Sequence, residues 1–245
     1  MNSGYYAACS GLMSRTEALD TIANNLANVS TAGFRASHNV FGSILATMGD
    51  SPLSTLNQDE NDFDILSGTQ LDTSQGALVK TGNDLDVAVE GPGYFAVKTA
   101  SGTTYTRGGN FRVSPQGQLI TSSGDPVMGD SGPITIVGMP VSISPDGTIS
   151  SNGAISGRLQ LVEFPPTVPI KSVGGSYYSA PAGAATPAKS SQVQQGMIES
   201  SNVNPITSVV EMINAERSVE TMRRVLSLFS TDLDKTAAQD LPRVS

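Results

Sequence analysis

The stretch DTIANNLANVSTAGFR (residues 20–35) reads as the end of a helix whose polar face is amide rather than charged. Asn is a mediocre helix former, yet Asn24, Asn25 and Asn28 crowd into it among small residues. Ordinary solvent exposure is better served by Lys and Glu. Asn24 and Asn28, four apart, share one face, while Ile22 and Leu26 share another. Ala23 and Ala27 permit close approach, and Gly33 allows the positive φ that ends a helix in a turn. Phe34 can then anchor the chain that follows. Amides supply donors and acceptors without the desolvation penalty of a buried charge.

Working outward, Tyr5, Leu12, Leu19 and Leu26 fall seven apart, with Ala8, Ile22 and Val29 at the offset of three and Arg15 as the exception. That is a heptad seam. Gly4 and Gly11 each cost about 1 kcal/mol relative to Ala in a helix interior, so this helix needs a partner. The far end of the chain mirrors it. Asn204 and Pro205 read as N-cap and first helical residue. Met212, Ala215, Val219, Met222, Leu226, Phe229 and Leu233 keep a heptad pattern, with Val209 and Ile213 one step off it. Glu220 and Arg224 have the favourable i,i+4 order, and Leu241-Pro242 stops the helix. The predicted seam residues are Leu12, Leu19 and Ile22 at one end and Met212, Val219, Met222, Leu226 and Phe229 at the other.

Between the ends, short β-rich runs alternate with turns such as Ser-Gly, Pro-Gln-Gly and Pro-Asp-Gly: 86–89, 94–99, 103–107, 110–113, 118–121, 134–137, 141–144, 148–150 and 158–164. Such runs point to an all-β unit rather than βαβ. Residues 47–76 and 174–195 are polar or rich in Gly, Ser, Ala and Pro, and read as linkers. The expected fold class is α+β: N- and C-terminal helices pairing as a coiled coil, with a central all-β domain. The expected segments are a helix and turn (1–36), an extended arm (37–84), the β-domain (85–173), a return arm (174–203) and a second helix (204–245).

Composition narrows the function. The 245 residues carry a net charge of −8 with only 15% charged side chains, which argues against a nucleic-acid groove. Cys9 and His38 each stand alone, so an intrachain disulfide is impossible and a Cys-based metal site is disfavoured. No apolar run reaches the ~18 residues of a membrane span, and MNSGYYAACSGLM lacks the basic start of a secretory signal. Gly91-Pro92-Gly93-Tyr94-Phe95-Ala96 fits G-x-G-x-x-A, but a nucleotide site needs a helix next and these residues continue as strand. DENDFD (59–64) matches a calcium loop only at Asp59 and Asn61. Asn28-Val29-Ser30 is a glycosylation sequon by pattern alone, Asp84 and Asp86 read as solvated strand-end carboxylates, and nothing marks a nucleophile elbow for His38. The sequence thus predicts no catalytic residues, no metal, no cofactor and no small-molecule substrate. Apolar stripes usually face a protein's own core. Here the two stripes belong to opposite ends of the chain, and the linkers are too polar to complete a bundle, so further copies of the chain are the expected source of contacts.

Three blocks carry a family resemblance. ANNLANVSTAGFR (23–35) resembles the N-terminal signature of bacterial flagellar rod and hook proteins. DVAVEGPGYFAV (86–97) with YTRGGNFRVSPQGQL (105–119) is similar to their strand-rich segment, and QGMIESSNVNP (195–205) to their C-terminal signature. Short length and residues 132–162 resemble a proximal-rod subunit, with distal-rod or hook-type subunits as the alternative and a secreted β-domain binding or adhesive module as a further one. Rod relatives often show Gln-Arg followed two residues later by an aromatic, where this chain has Glu216-Arg217-Ser218-Val219. The resemblance implies a structural subunit, not an enzyme, located in the basal body as part of the periplasmic rod. It implies an axial polymer with an inner coiled-coil layer and an outer β-domain, partnered by other rod subunits. It also implies passage unfolded through the flagellar export apparatus without a cleaved signal. The expected assembly motif is Asn24, Asn25, Leu26, Ala27, Asn28, Ser30, Thr31, Gly33 and Phe34, joined by Gly196, Glu199, Ser201, Asn202, Val203 and Asn204, all as contacts between subunits.

Overall fold

Helix α1 runs Asn2–Ala27 and helix α2 Pro205–Asp240, with strands between them. The structure, a computed structural model, describes residues 2–43 and 64–240, with side chains at 8–40, 69–228 and 231. The chain divides into two compact units. One takes α1, the two-stranded sheet of β1 (Ser37–Ser43) and β2 (Asp64–Leu71), and α2. The other takes Ala27–Ala36 and Leu71–Asn204. Residues 59–63 of the acidic DENDFD stretch, and Leu241-Pro242, lie outside the described residues.

In the helical unit, α2 starts at Pro205, directly after the expected cap Asn204. Its most covered positions are Ser208, Met212, Ala215, Val219, Met222 and Leu226, which is the heptad stripe. On α1, Leu12, Leu19, Ile22 and Leu26 are half-buried, and Arg15 is exposed. A Cβ added at Gly11 would lie 3.3 Å from Met222 Cε, so the two helices approach there. Val209, Val210 and Ile213 of α2 stay 43%, 53% and 44% exposed. The side chain of Phe229 lies outside the described residues.

The β unit is antiparallel throughout. Its strands are β3 (Leu78–Lys80), β4 (Val87–Glu90), β5 (Tyr94–Thr99), β6 (Gly102–Thr106), β7 (Arg112–Val113), β8 (Leu119–Ile120), β9 (Met128–Gly129) and β10 (Gly132–Pro133). They continue with β11 (Val141–Ile143), β12 (Thr148–Ser151), β13 (Ala154–Arg158), β14 (Leu161–Glu163), β15 (Lys171–Gly174), β16 (Tyr177–Ser179), β17 (Thr186–Pro187), β18 (Gln192–Gln195) and β19 (Met197–Glu199). The largest sheet has the order β15-β16-β6-β5-β14-β17, and β11-β12-β13 form a second. Strand β18 pairs with β4 and β19 with β3, so strands extend into both stretches that composition reads as arms.

Alternation along the strands buries Val87, Val89, Phe95, Val97, Phe111, Leu119, Val127, Ile149, Leu159 and Val193 in one cluster. Phe95 and Phe111 meet edge to face at 5.1 Å. The run 134–137 forms no ladder strand. Thr135 makes a single bridge to Gln118, while Ile134 and Ile136 point into the core. Gly91-Pro92-Gly93 links β4 to β5, with Gly91 at φ +107°. A strand follows it, as the aromatic residues require.

Candidate functional site: where both chain-end segments enter the β unit

Helix α1 gives way to a turn in which Thr31 N donates to Asn28 O at 3.0 Å and Thr31 Oγ1 to Asn28 Oδ1 at 3.1 Å. Gly33 follows at φ +69°. That conformation alone favours glycine, and packing adds a second reason. A Cβ at Gly33 would stand 2.2 Å from both the Arg107 carbonyl carbon and the Gly108 nitrogen. Gly33 N donates to Glu199 O at 2.8 Å, and the Tyr178 hydroxyl donates to Gly33 O at 2.9 Å. Gly76 is equally constrained, because a Cβ there would lie 2.0 Å from Ser200 O.

Phe34 and Ala36 pack on Val203, with Val29 against them. Asn202 laces the same place together. Its Oδ1 accepts from Ala36 N at 2.7 Å, its Nδ2 donates to Asp72 O and Ser74 O at 3.2 Å, and its backbone N donates to Phe34 O. Segments 166 residues apart in sequence are thus stitched by one amide side chain.

Beneath this lies a buried charge triad. Glu199 Oε1 sits 2.8 Å from Arg35 Nη2, an ion pair that misses hydrogen-bond alignment, and accepts from Gly76 N at 2.9 Å. Glu199 Oε2 accepts from Arg107 Nη1 at 3.0 Å. The Arg107 guanidinium also donates to Val89 O and Gly91 O and lies 4.8 Å from the centre of the Tyr94 ring. The side chains of Arg35, Glu199 and Arg107 are 0%, 1% and 2% exposed. Burial pulls the Arg107 pKa below its ordinary value, with Arg35 adding to the depression and Glu199 opposing it. Burial pushes the Tyr178 phenol well above its ordinary value. Two cations share one anion here, an arrangement suited to holding segments together and not to proton transfer.

The predicted assembly residues divide by environment. Asn25, Gly33, Phe34, Glu199 and Val203 are buried, and Leu26, Asn28, Thr31, Gly196, Ser201 and Asn202 are half-buried. Asn25 exchanges hydrogen bonds with both backbone groups of Ser37, at 2.8 and 3.0 Å. Gly196, at φ +73°, accepts from Thr81 N and donates to Asp86 O. Asn24, Ala27, Ser30 and Asn204 are exposed. Sequence reasoning does not single out Arg35, Arg107, Gly76 or Tyr178, and reads Tyr94 only as the start of a strand. The available signal was an arginine set beside glycine and aromatic residues, Gly-Phe-Arg and Arg-Gly-Gly-Asn-Phe, in a chain poor in charge.

Other features offer no chemistry. His38 is exposed on β1. Among the described residues no three His, Cys, Asp or Glu side chains are placed to hold a metal, and no helix is long and apolar enough to cross a membrane. A groove of about 590 Å³ mixes Asp130, Asp146, Arg158 and Lys189 with Leu161 and Pro187. Asp146 is held below the usual carboxylate range by hydrogen bonds from Thr148.

Comparison with known proteins finds three matching families along the chain. Residues 6–35 match the family described as flagella basal body rod protein, 88–156 the flagellar hook protein FlgE/F/G D1 domain, and 194–239 the flagellar basal body rod FlgEFG protein C-terminal. The chain is 32% identical to the flagellar basal-body rod protein FlgF of Caulobacter vibrioides, with 100% of each covered. It is 33% identical to FlgF of Salmonella typhimurium, again with 100% of each covered. It is 30% identical to FlgF of Mesorhizobium japonicum over 96% of each. The matched ends, 6–35 and 194–239, carry the two segments that meet at the Arg35–Glu199–Arg107 triad, and the chain belongs to the flagellar basal-body rod protein family as a structural, non-enzymatic rod subunit of the proximal FlgF type.

Proposed function

We propose that this subunit polymerises through α1 and α2 into the axial tube of the proximal rod. The helices pair as an antiparallel coiled coil, sister copies and other rod subunits cover their remaining faces, and the β region 85–173 lies outside with 37–84 and 174–203 as its arms. Anchoring the pair at Gly11 and Met222 sets Leu12 against Met222, Leu19 against Ala215, Ile22 against Met212 and Leu26 against Ser208. The register also sets Arg15 opposite Val219, where its apolar stem can cover the valine while the guanidinium stays in water. The observation that carries the reading is a second apolar stripe on α2. Val209, Val210 and Ile213 remain exposed beside a heptad stripe already covered, which one helical partner leaves without a core. Asn24, Ala27, Ser30 and Asn204, all exposed, are the assembly-motif residues this reading assigns to contacts with neighbours, while Gly33, Phe34, Glu199 and Val203 close the knot within the β unit. The subunit reaches the periplasmic basal body unfolded through the flagellar export apparatus, without a cleaved signal.

Electron microscopy of basal bodies tests this in a deletion strain carrying the double substitution Val210→Asp and Ile213→Asp. The expected result is an axle interrupted at the proximal rod, with the variant protein exported and its β unit folded. Full-length rods built from that variant would refute assembly through this face.

A further inference from the structure

Arg35 stands just past α1, Arg107 just past β6, and Glu199 at the end of β19, so the triad joins three segments remote in sequence. Each arginine depends on the same carboxylate. Among the described residues, Arg35 has no ion-pair partner but Glu199, and without Glu199 the Arg107 guanidinium keeps only carbonyl oxygens and the Tyr94 ring. A buried charge deprived of its partner costs much more than the pair is worth as a whole. The strands that deliver Glu199 also complete the pairings of β4 and β3.

We infer that the triad is a charge latch that makes closure of the β unit all-or-none with respect to its last segment. Residues 192–203 cannot withdraw while the rest stays shut, because withdrawal strands two buried guanidinium ions. For the same reason, a chain whose carboxylate has not yet arrived holds the unit open. The grip on Gly33–Ala36 and the grip on Glu199–Val203 are therefore made or lost together. Since an N-terminal portion emerges first in synthesis, the latch keeps an incomplete chain from closing early.

Native-state hydrogen exchange on the full-length chain tests the latch. The reporters are the amides of Gly33, Gly196 and Ser200, bonded to Glu199 O, Asp86 O and Ala77 O, against those of Ala96 and Leu119, bonded to Gln160 O and Ile134 O. In the natural protein both sets are expected to open with the same equilibrium constant, within about threefold, and with the same denaturant dependence. In the double variant Arg35→Met/Arg107→Met the first set is expected to open about 100-fold more often than the second. Independent opening of Gly33 and Ser200 in the natural protein would overturn the latch. So would unchanged coupling in the double variant, which would assign the grip to backbone pairing alone. Should that variant not fold, the triple variant Arg35→Met/Glu199→Leu/Arg107→Met carries the same comparison. Failure of both to fold also overturns the proposal, since apolar replacement of a whole buried ion cluster leaves folding intact when charge is its main role.

Discussion

Phe34, seven residues past the end of α1, and Val210, five residues into α2, are both apolar, and they meet opposite fates. Phe34 is 3% exposed, packed on Ala36 and Val203, whereas Val210 is 53% exposed on α2. Around Phe34 the backbone amides find partners inside the chain, and two arginines find a carboxylate. Around Val210 a long helix shows apolar groups on a face beside its covered stripe. The knot around Phe34 is thus closed by the chain's own residues, whereas the Val209–Ile213 face of α2 stays exposed. Mutations should separate the two: changes in the first lower the stability of the monomer, and changes in the second lower assembly.

The largest effect is expected from Glu199→Ala, which strands two buried cations and should cost the β unit about 3–5 kcal/mol in urea unfolding. A loss below 1 kcal/mol, on the order of a surface change, would erase the distinction. Gly33→Ala comes next. Strain at positive φ alone costs about 1–3 kcal/mol, and the clash with the Arg107–Gly108 peptide adds to it, so thermal unfolding should shift down clearly. On the helical side, Val219→Ala removes covered apolar surface worth about 1.5 kcal/mol. It should reduce helix content near 222 nm while leaving the β unit's melting unchanged.

Tyr178→Phe deletes the hydrogen bond to Gly33 O, and about 1 kcal/mol is expected at neutral pH. It also tests a pH window. The folded phenol has a raised pKa, so its stabilisation is complete below the unfolded value near 10 and is lost as pH climbs through the folded value. The natural protein should destabilise on that alkaline limb more steeply than the Phe variant. The smallest monomer effect belongs to Val210→Ala with Ile213→Ala: within about 0.5 kcal/mol in unfolding, yet defective in complementing rod assembly. A matching loss of monomer stability would mean that this face already packs within one chain.

The legible parts of the fold are those with local periodicity or local turn chemistry. Asn204-Pro205 marks the start of α2 because capping involves neighbouring residues. The stripe Met212–Leu226 declares itself by spacing, and β4 through β6 by alternation between glycine turns. The knot was not legible in the same way. Gly33 announces its turn but not the Arg107–Gly108 peptide that presses on it. Glu199 and Asn202 stand out inside a signature block, yet their partners Arg35, Arg107, Gly76 and Ala36 lie far off in sequence, and no periodicity links them. Strands β18 and β19 escape notice for the same reason. Their runs are short and rich in Gln and Met, and their strand character comes from pairing with β4 and β3.

Strands β18 and β19 run consecutively along β4 and then β3, on either side of the bend at Gly196. A pull directed along β19 acts lengthwise on its ladder with β3. Under such shear the backbone bonds of a ladder strain in parallel, whereas a sideways tug would part them one after another.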